Sequence, residues 1–196
     1  MGLFSAFKKN KASASLPSVP SEEQQREEAK AFVNAFLDAL YTDFDKEGAG
    51  EYSTAKFRIA GITNYCTQND TGFIYGLSFL HNNPYDKTAI ALGRVKNSNV
   101  SGIYGYIPKE DKKAFNEFAG DNKQLPFLGY IKAFINEEGR VGIAGKIKLY
   151  KGNCVGVYEE MVADAQLIKG AFKGYYKEQT LEEQDETLDW LLDRLF

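Results

Sequence analysis

Seven consecutive residues, His81-Asn82-Asn83-Pro84-Tyr85-Asp86-Lys87, gather an imidazole, two amides, a phenol, a carboxylate and an ammonium group around one proline. Proton transfer and nucleophilic attack are poorly served by the rest of the chain. His81 is the only histidine, so neither a Ser-His-Asp nor a Cys-His arrangement can be written with a base to spare. Cys66 and Cys154 are far apart and outside any C-x-x-C pair, and one histidine leaves a structural zinc site short of ligands. Nothing matches G-x-x-x-x-G-K-[ST], so no nucleotide-driven motor is encoded. The carboxylate pairs Glu137/Glu138 and Glu159/Glu160 are adjacent in sequence and read as solvated turn and helix charges. No catalytic residue, metal or cofactor is expected, and the chain does not read as an enzyme.

The polar string has a local physical logic. Pro84 fixes its own φ and pushes Asn83 toward an extended backbone, Asp86 can accept from nearby N–H groups as a turn forms, and Ala89 and Ile90 enter a buried strand. His81 reads as a turn residue. Tyr85 is the residue this logic does not explain, since serine or lysine would suit a polar turn equally well.

The elements that position the string follow from periodicity. Ser21 with Gln24 three residues on is a helix start, and Ala29, Phe32, Val33, Phe36, Leu37 and Leu40 then fall on one helical face, with Gly48 and Gly50 as the stop. That apolar stripe is expected to cover part of the core. From Tyr52 the period drops toward two, predicting strands over 56–65, 72–80, 89–95 and 101–107, with a turn at 97–99. Pro108 opens a short helix carrying Ala114, Phe115 and Phe118. Segments 124–136 and 140–150 read as a hairpin around Glu137-Glu138-Gly139, with Gly139 supplying the positive φ. Helical spacing returns from Tyr158 to Tyr175, interrupted by Gly170 and Gly174, and a last acidic helix follows Thr180. The implied organisation is a tail over 1–20, a helix within 21–48, a β-rich unit over 50–152 and a helical segment over 153–196. Leu3, Phe4 and Phe7 share one side of the tail, which permits no more than weak membrane-surface contact. No apolar run reaches the roughly 18–20 residues that cross a bilayer, so no stable membrane insertion and a cytoplasmic, reducing setting with free thiols are expected.

The string, with Phe57-Arg58-Ile59-Ala60-Gly61-Ile62 before it and Gly105-Tyr106-Ile107-Pro108 after it, resembles the HIRAN family over 56–151. That family's pattern is a strand ending in a glycine turn, an N-P-Y-D element followed by an A-I run, and a strand end of the type G-x-I/L. The strand runs and the short helix by themselves suggest a small barrel or a curled sheet flanked by N- and C-terminal helices, an α+β fold, and the resemblance implies the OB/SH3-like β-barrel, of about six strands and a short helix. It also implies capture of single-stranded DNA ends carrying a 3′-hydroxyl. Carried over, Tyr85 would stack on a base or sugar and Asp86 would accept from the terminal hydroxyl, with Asn83, Tyr65, Tyr106 and Lys87 around them. A helicase or nuclease is the implied partner. The chain departs from the pattern at Thr63, where end-binding members tend to have arginine, and at Tyr106, where some have histidine.

Charge is unevenly spread over the net −3: the first twenty residues carry +3, 21–50 carry −5, 51–152 carry +5 and 153–196 carry −6. A basic middle suits a polyanion, whereas the acidic flanks suit a second reading, a non-catalytic protein-interaction adapter.

Overall fold

Ser21 starts the first helix by a reciprocal capping box: its Oγ accepts the Gln24 N–H (3.2 Å), and Gln24 Oε1 accepts the Ser21 N–H (3.0 Å). Helix α1 then spans Glu22–Leu40 and buries Ala29, Val33, Phe36 and Leu37, the stripe the spacing predicts. The computed structural model describes residues 21–40, 50–96 and 99–175, with side chains as far as residue 168. The 1–20 segment, the Gly48 stop, residues 97 and 98 of the 97–99 turn and the helix expected after Thr180 lie outside the described residues.

Six strands follow: β1 Tyr52–Arg58, β2 Gly72–Asn83, β3 Asp86–Lys96, β4 Asn99–Tyr106, β5 Pro126–Ile135 and β6 Val141–Gly152. Helix α2, Lys112–Ala119, lies between β4 and β5, and α3, Cys154–Tyr175, closes the described chain. The first strand differs from expectation: it begins at Tyr52 and stops at Arg58 instead of running over 56–65. Gly61 adopts φ 67°, a left-handed turn, and Ile62–Asn64 coil into a single 3-10 turn, so Tyr65 leaves the sheet. Pro108 leads into a 3-10 turn, Lys109–Asp111, before α2 begins, and in that helix Phe115 and Ala119 are buried while Ala114 faces solvent. The β5–β6 turn is as predicted. Gly139 has φ 73°, and Asn136 Oδ1 accepts from Glu138 N (3.1 Å) and Arg140 N (2.8 Å).

All strands are antiparallel, in the order β1-β6-β5-β2-β3-β4. Among the described residues the two edges of the sheet are joined by one backbone bridge, where Ala60, just past β1, exchanges two hydrogen bonds with Tyr106 (2.8 and 2.9 Å). The sheet is therefore strongly curled, but no continuous ladder closes it. The α+β class, the six strands and the flanking helices are as expected.

Both faces of the middle strands are buried. On the concave side Phe57, Ile74, Ile90, Leu92, Phe127, Ile131, Ile147 and Leu149 surround Phe115 and Ala119 of α2. On the other side Leu128, Tyr130 and Tyr150 pack beneath Val33, Phe36 and Leu37 of α1 and Met161, Ala165 and Ile168 of α3. Adjacent residues such as Phe127 and Leu128, or Leu149 and Tyr150, thus serve opposite cores, as a period of two requires. Asn153 caps α3, its Oδ1 accepting the Val155 N–H (2.9 Å). A buried ionic network then fixes α3 to β6. Lys148 Nζ lies 2.6 Å from Glu160 Oε1 and 2.7 Å from Asp164 Oδ2, and Tyr150 donates to Asp164 Oδ2 at 2.7 Å. Glu160 also accepts from the Tyr52 hydroxyl (2.9 Å), so of the two acid pairs read as solvated, Glu159/Glu160 contributes a structural member instead.

Candidate nucleic-acid interface

The β2–β3 hairpin is built around the string met in the sequence. Asn83 pairs with Asp86 across a two-residue turn of Pro84 and Tyr85, after a bulge between His81 and Asn83. Asn83 Oδ1 accepts the N–H of Tyr85 (2.9 Å) and of Asp86 (2.8 Å), an Asx arrangement that holds the turn without help from the rest of the fold. Tyr85 is carried to the tip and is 98% exposed. An aromatic ring left wholly in water contributes nothing to packing, which removes the structural explanation for its presence.

Asp86 is positioned by contacts on both sides of the turn. Its Oδ1 accepts from Thr88 N (2.9 Å), Thr88 Oγ1 (3.1 Å) and Lys112 Nζ (3.0 Å), and Oδ2 accepts from Lys112 Nζ (2.8 Å). The hydrogen bond from Lys112 and the Thr88 N–H hold its carboxyl below the usual aspartate range, so it is ionised at neutral pH. Lys112 belongs to α2, and its ammonium joins hairpin to helix. Lys87 is exposed beside the turn.

Behind the hairpin lies an aromatic cluster. His81 is a β2 residue, not a turn residue as expected. Its ring stacks on Tyr106 (centroids 5.8 Å, planes 14° apart), and its Nδ1 lies 3.0 Å from the Tyr106 hydroxyl. Tyr65 meets Tyr106 edge to face at 5.8 Å, and their hydroxyls are 3.3 Å apart. Burial, then the Tyr65 hydroxyl, raise the Tyr106 phenol above its ordinary pKa, while Asn83 opposes the shift through a side-chain hydrogen bond. Phe79 extends the row, its ring 5.9 Å from His81. Tyr65, Asn83 and Tyr106, distant in sequence, therefore converge, with Tyr85 and Asp86 on the adjoining turn.

Three contributors escaped sequence reasoning: His81 as a stacking ring, Lys112 and Arg94. The Arg94 guanidinium pairs with Asp70 (2.8 Å), lies 4.5 Å from the Tyr104 ring centroid, and reaches the Tyr65 carbonyl (3.4 Å) and Cys66 Sγ (3.2 Å). It braces the loop that presents Tyr65. Its signal was a lone cation closing the apolar run Ala89-Ile90-Ala91-Leu92-Gly93. Burial raises the Cys66 thiol, and Arg94 only partly offsets it. Cys66 and Cys154 are both free thiols.

The arrangement offers a row of rings, a tethered carboxylate and a projecting phenol on one rim of the curled sheet. Among the described residues no group of three or more histidine, cysteine or acidic side chains could hold a metal ion, and no helix is long and apolar enough to cross a membrane. Comparison with protein-family models, curated proteins and solved structures returned no match.

Proposed function

We propose that this chain is a nucleic-acid-binding module that recognises single-stranded DNA ends bearing a 3′-hydroxyl, in the manner the HIRAN resemblance implies. The observation that carries the reading is a fully exposed Tyr85 held on a self-supporting turn beside the Tyr65–Tyr106–His81 cluster. Exposed rings at one rim suit unpaired bases, whose faces stack whatever their sequence. In this reading the curled sheet acts as an OB-like barrel whose seam is the Ala60–Tyr106 bridge. Tyr85 stacks on the terminal nucleotide, and Tyr106 and Tyr65 line the floor. Asp86 Oδ2, bonded to Lys112, has lone-pair capacity left for a hydroxyl donor, while a terminal phosphate would meet its charge. The basic 51–152 segment supplies the attraction for phosphate, and a helicase or nuclease would act on the end so held.

Fluorescence anisotropy with a single strand, a blunt duplex and a recessed duplex tests the reading, each with a 3′-hydroxyl or a 3′-phosphate. Preference for a single-stranded hydroxyl end, weakening with salt, is the expected result. Equal affinity for both end chemistries would leave a general single-strand binder, and the absence of binding to every probe would remove the reading.

A further inference from the structure

His81 lies two residues before Asn83 on the same face of β2, about 7 Å along the strand, and Asn83 stands directly opposite Asp86. The imidazole is therefore one row behind the pair that would hold the strand end. Two rings fix its direction: Tyr106 stacks on it at 5.8 Å, and Phe79 meets it edge-on at 5.9 Å. Its Nδ1 is engaged by the Tyr106 hydroxyl at 3.0 Å, whereas Nε2 has no hydrogen-bond partner among the described residues. A polar nitrogen of a half-buried side chain is costly to leave unmatched, so Nε2 favours any ligand group that completes it.

Neutral imidazole shares one proton between its two nitrogens, so the state of Nδ1 dictates that of Nε2. Tyr106 can serve either state. If Nδ1 accepts, Tyr106 donates to it and accepts from the Tyr65 hydroxyl 3.3 Å away; if Nδ1 donates, Tyr106 accepts from it and donates to Tyr65. Tyr65 is 41% exposed, so water can complete its hydroxyl in both orders. Burial, then Tyr65, raise the Tyr106 phenol above its ordinary pKa, and it keeps its proton throughout. Reversing this relay leaves no group unmatched, which makes Nε2 a donor or an acceptor at little cost.

We propose that His81 Nε2 hydrogen-bonds the edge of the terminal base, as donor or acceptor according to the base, while Tyr106 and Tyr65 turn their hydroxyls to match. This rests on the nucleic-acid reading above and adds a polar contact to the base, where stacking on Tyr85 is indifferent to base type. Each base edge carries donors and acceptors, so one imidazole can serve ends of differing sequence.

The test uses the full, tag-free chain and single strands whose 3′-terminal base is thymine, cytosine or the non-polar thymine isostere difluorotoluene. In anisotropy the wild type should favour thymine over the isostere by about 2- to 10-fold, the worth of one neutral hydrogen bond. His81→Phe keeps a ring against Tyr106 but has no nitrogen, and should hold both ends as weakly as the wild type holds the isostere. His81 is the only histidine, so its imidazole nitrogens give a single set of NMR resonances. They should move when a thymine or cytosine end binds. The two ends should populate opposite tautomers, because cytosine carries an amino donor where thymine carries a carbonyl acceptor. Should the variant melt early, the wild-type resonances decide. A thymine preference that survives in His81→Phe, equal wild-type affinity for thymine and the isostere, imidazole resonances unmoved by a bound thymine end, or one tautomer with both bases would each overturn the inference and leave end binding intact. A wild type that binds none of the strands would remove the function reading, and this inference with it.

Discussion

Tyr85→Ala and Asp86→Ala alter neighbouring residues of one turn and should fail in different ways. Tyr85 is 98% exposed, so its ring shields almost no area from water, and its removal should leave the melting temperature within error of the wild type. The turn itself is held by Asn83 Oδ1 through the backbone N–H groups of Tyr85 and Asp86, bonds that alanine at 85 retains. If the ring stacks on a terminal base, its loss should cost about 1–3 kcal/mol of binding, or about 5- to 150-fold in Kd, for hydroxyl and phosphate ends alike. Asp86→Ala removes the acceptor of four hydrogen bonds, two of them from the Lys112 ammonium that ties the hairpin to α2. It should lower the melting temperature and abolish the preference for the hydroxyl end, since the charge that disfavours a terminal phosphate is gone. Thermal melts paired with anisotropy on both end chemistries separate the effects. A destabilised Tyr85→Ala protein would refute the claim that the ring does nothing for the fold. A folded Asp86→Ala protein with an unaltered hydroxyl-to-phosphate ratio would refute end recognition and leave Asp86 as a structural tether.

Three further outcomes are expected. Lys148→Ala leaves the 5%-exposed Asp164 with Tyr150 as a partner but without its counter-ion, and should cost about 3–5 kcal/mol, whereas the volume-matched Lys148→Met/Asp164→Leu pair should recover most of it in denaturant melts. Asp70 is held below its usual pKa of 3.8, first by the Thr67 backbone N–H and then by Arg94, so its contribution is present above that value and lost as pH falls through the lower, folded-state one. Asp70→Asn should accordingly flatten the acid limb of a melting-temperature profile, and an unchanged limb would count against the Arg94 brace. Gly105→Ala would place a Cβ 2.5 Å from the Ala60 carbonyl oxygen and 2.6 Å from Ile59 Cγ2, at φ +156°. It should destabilise the protein by about 1–3 kcal/mol, and amide exchange at Ala60 and Tyr106 should accelerate selectively if the bridge is what yields.

What could be read from the chain alone was short-range. The capping box at Ser21 and Gln24, the apolar stripe of α1, the Gly139 turn and the presence of a turn in the 81–87 string each rest on neighbours within four or five residues of one another, whereas the extension of β2 to Asn83 and of β3 back to Asp86, which tightens that turn to Pro84 and Tyr85, exceeds the expected strands over 72–80 and 89–95. Backbone geometry and side-chain reach settle such features before any distant contact forms. The alternation that located the strands was equally local, and it failed at 59–65 because the left-handed turn at Gly61 is invisible to a hydropathy pattern. Tyr65, Asn83 and Tyr106 could be named together only through a family resemblance, since nothing in their spacing says that they touch.

Tertiary structure decided which side chains meet. The order β1-β6-β5-β2-β3-β4 and its registers bring His81 beneath Tyr106, set Lys112 against Asp86 across 26 residues, and seat Lys148 between Glu160 and Asp164. A strand read alone permits either face to turn inward, and a slip of one residue would exchange every inward side chain for an outward one. Only the pairing of all six strands, with α1 and α3 on one face and α2 on the other, selects one register. That selection is why Glu160, apparently a solvated charge in sequence, is a partly buried partner of the buried Lys148, and why His81, apparently a turn residue, is a stacking ring.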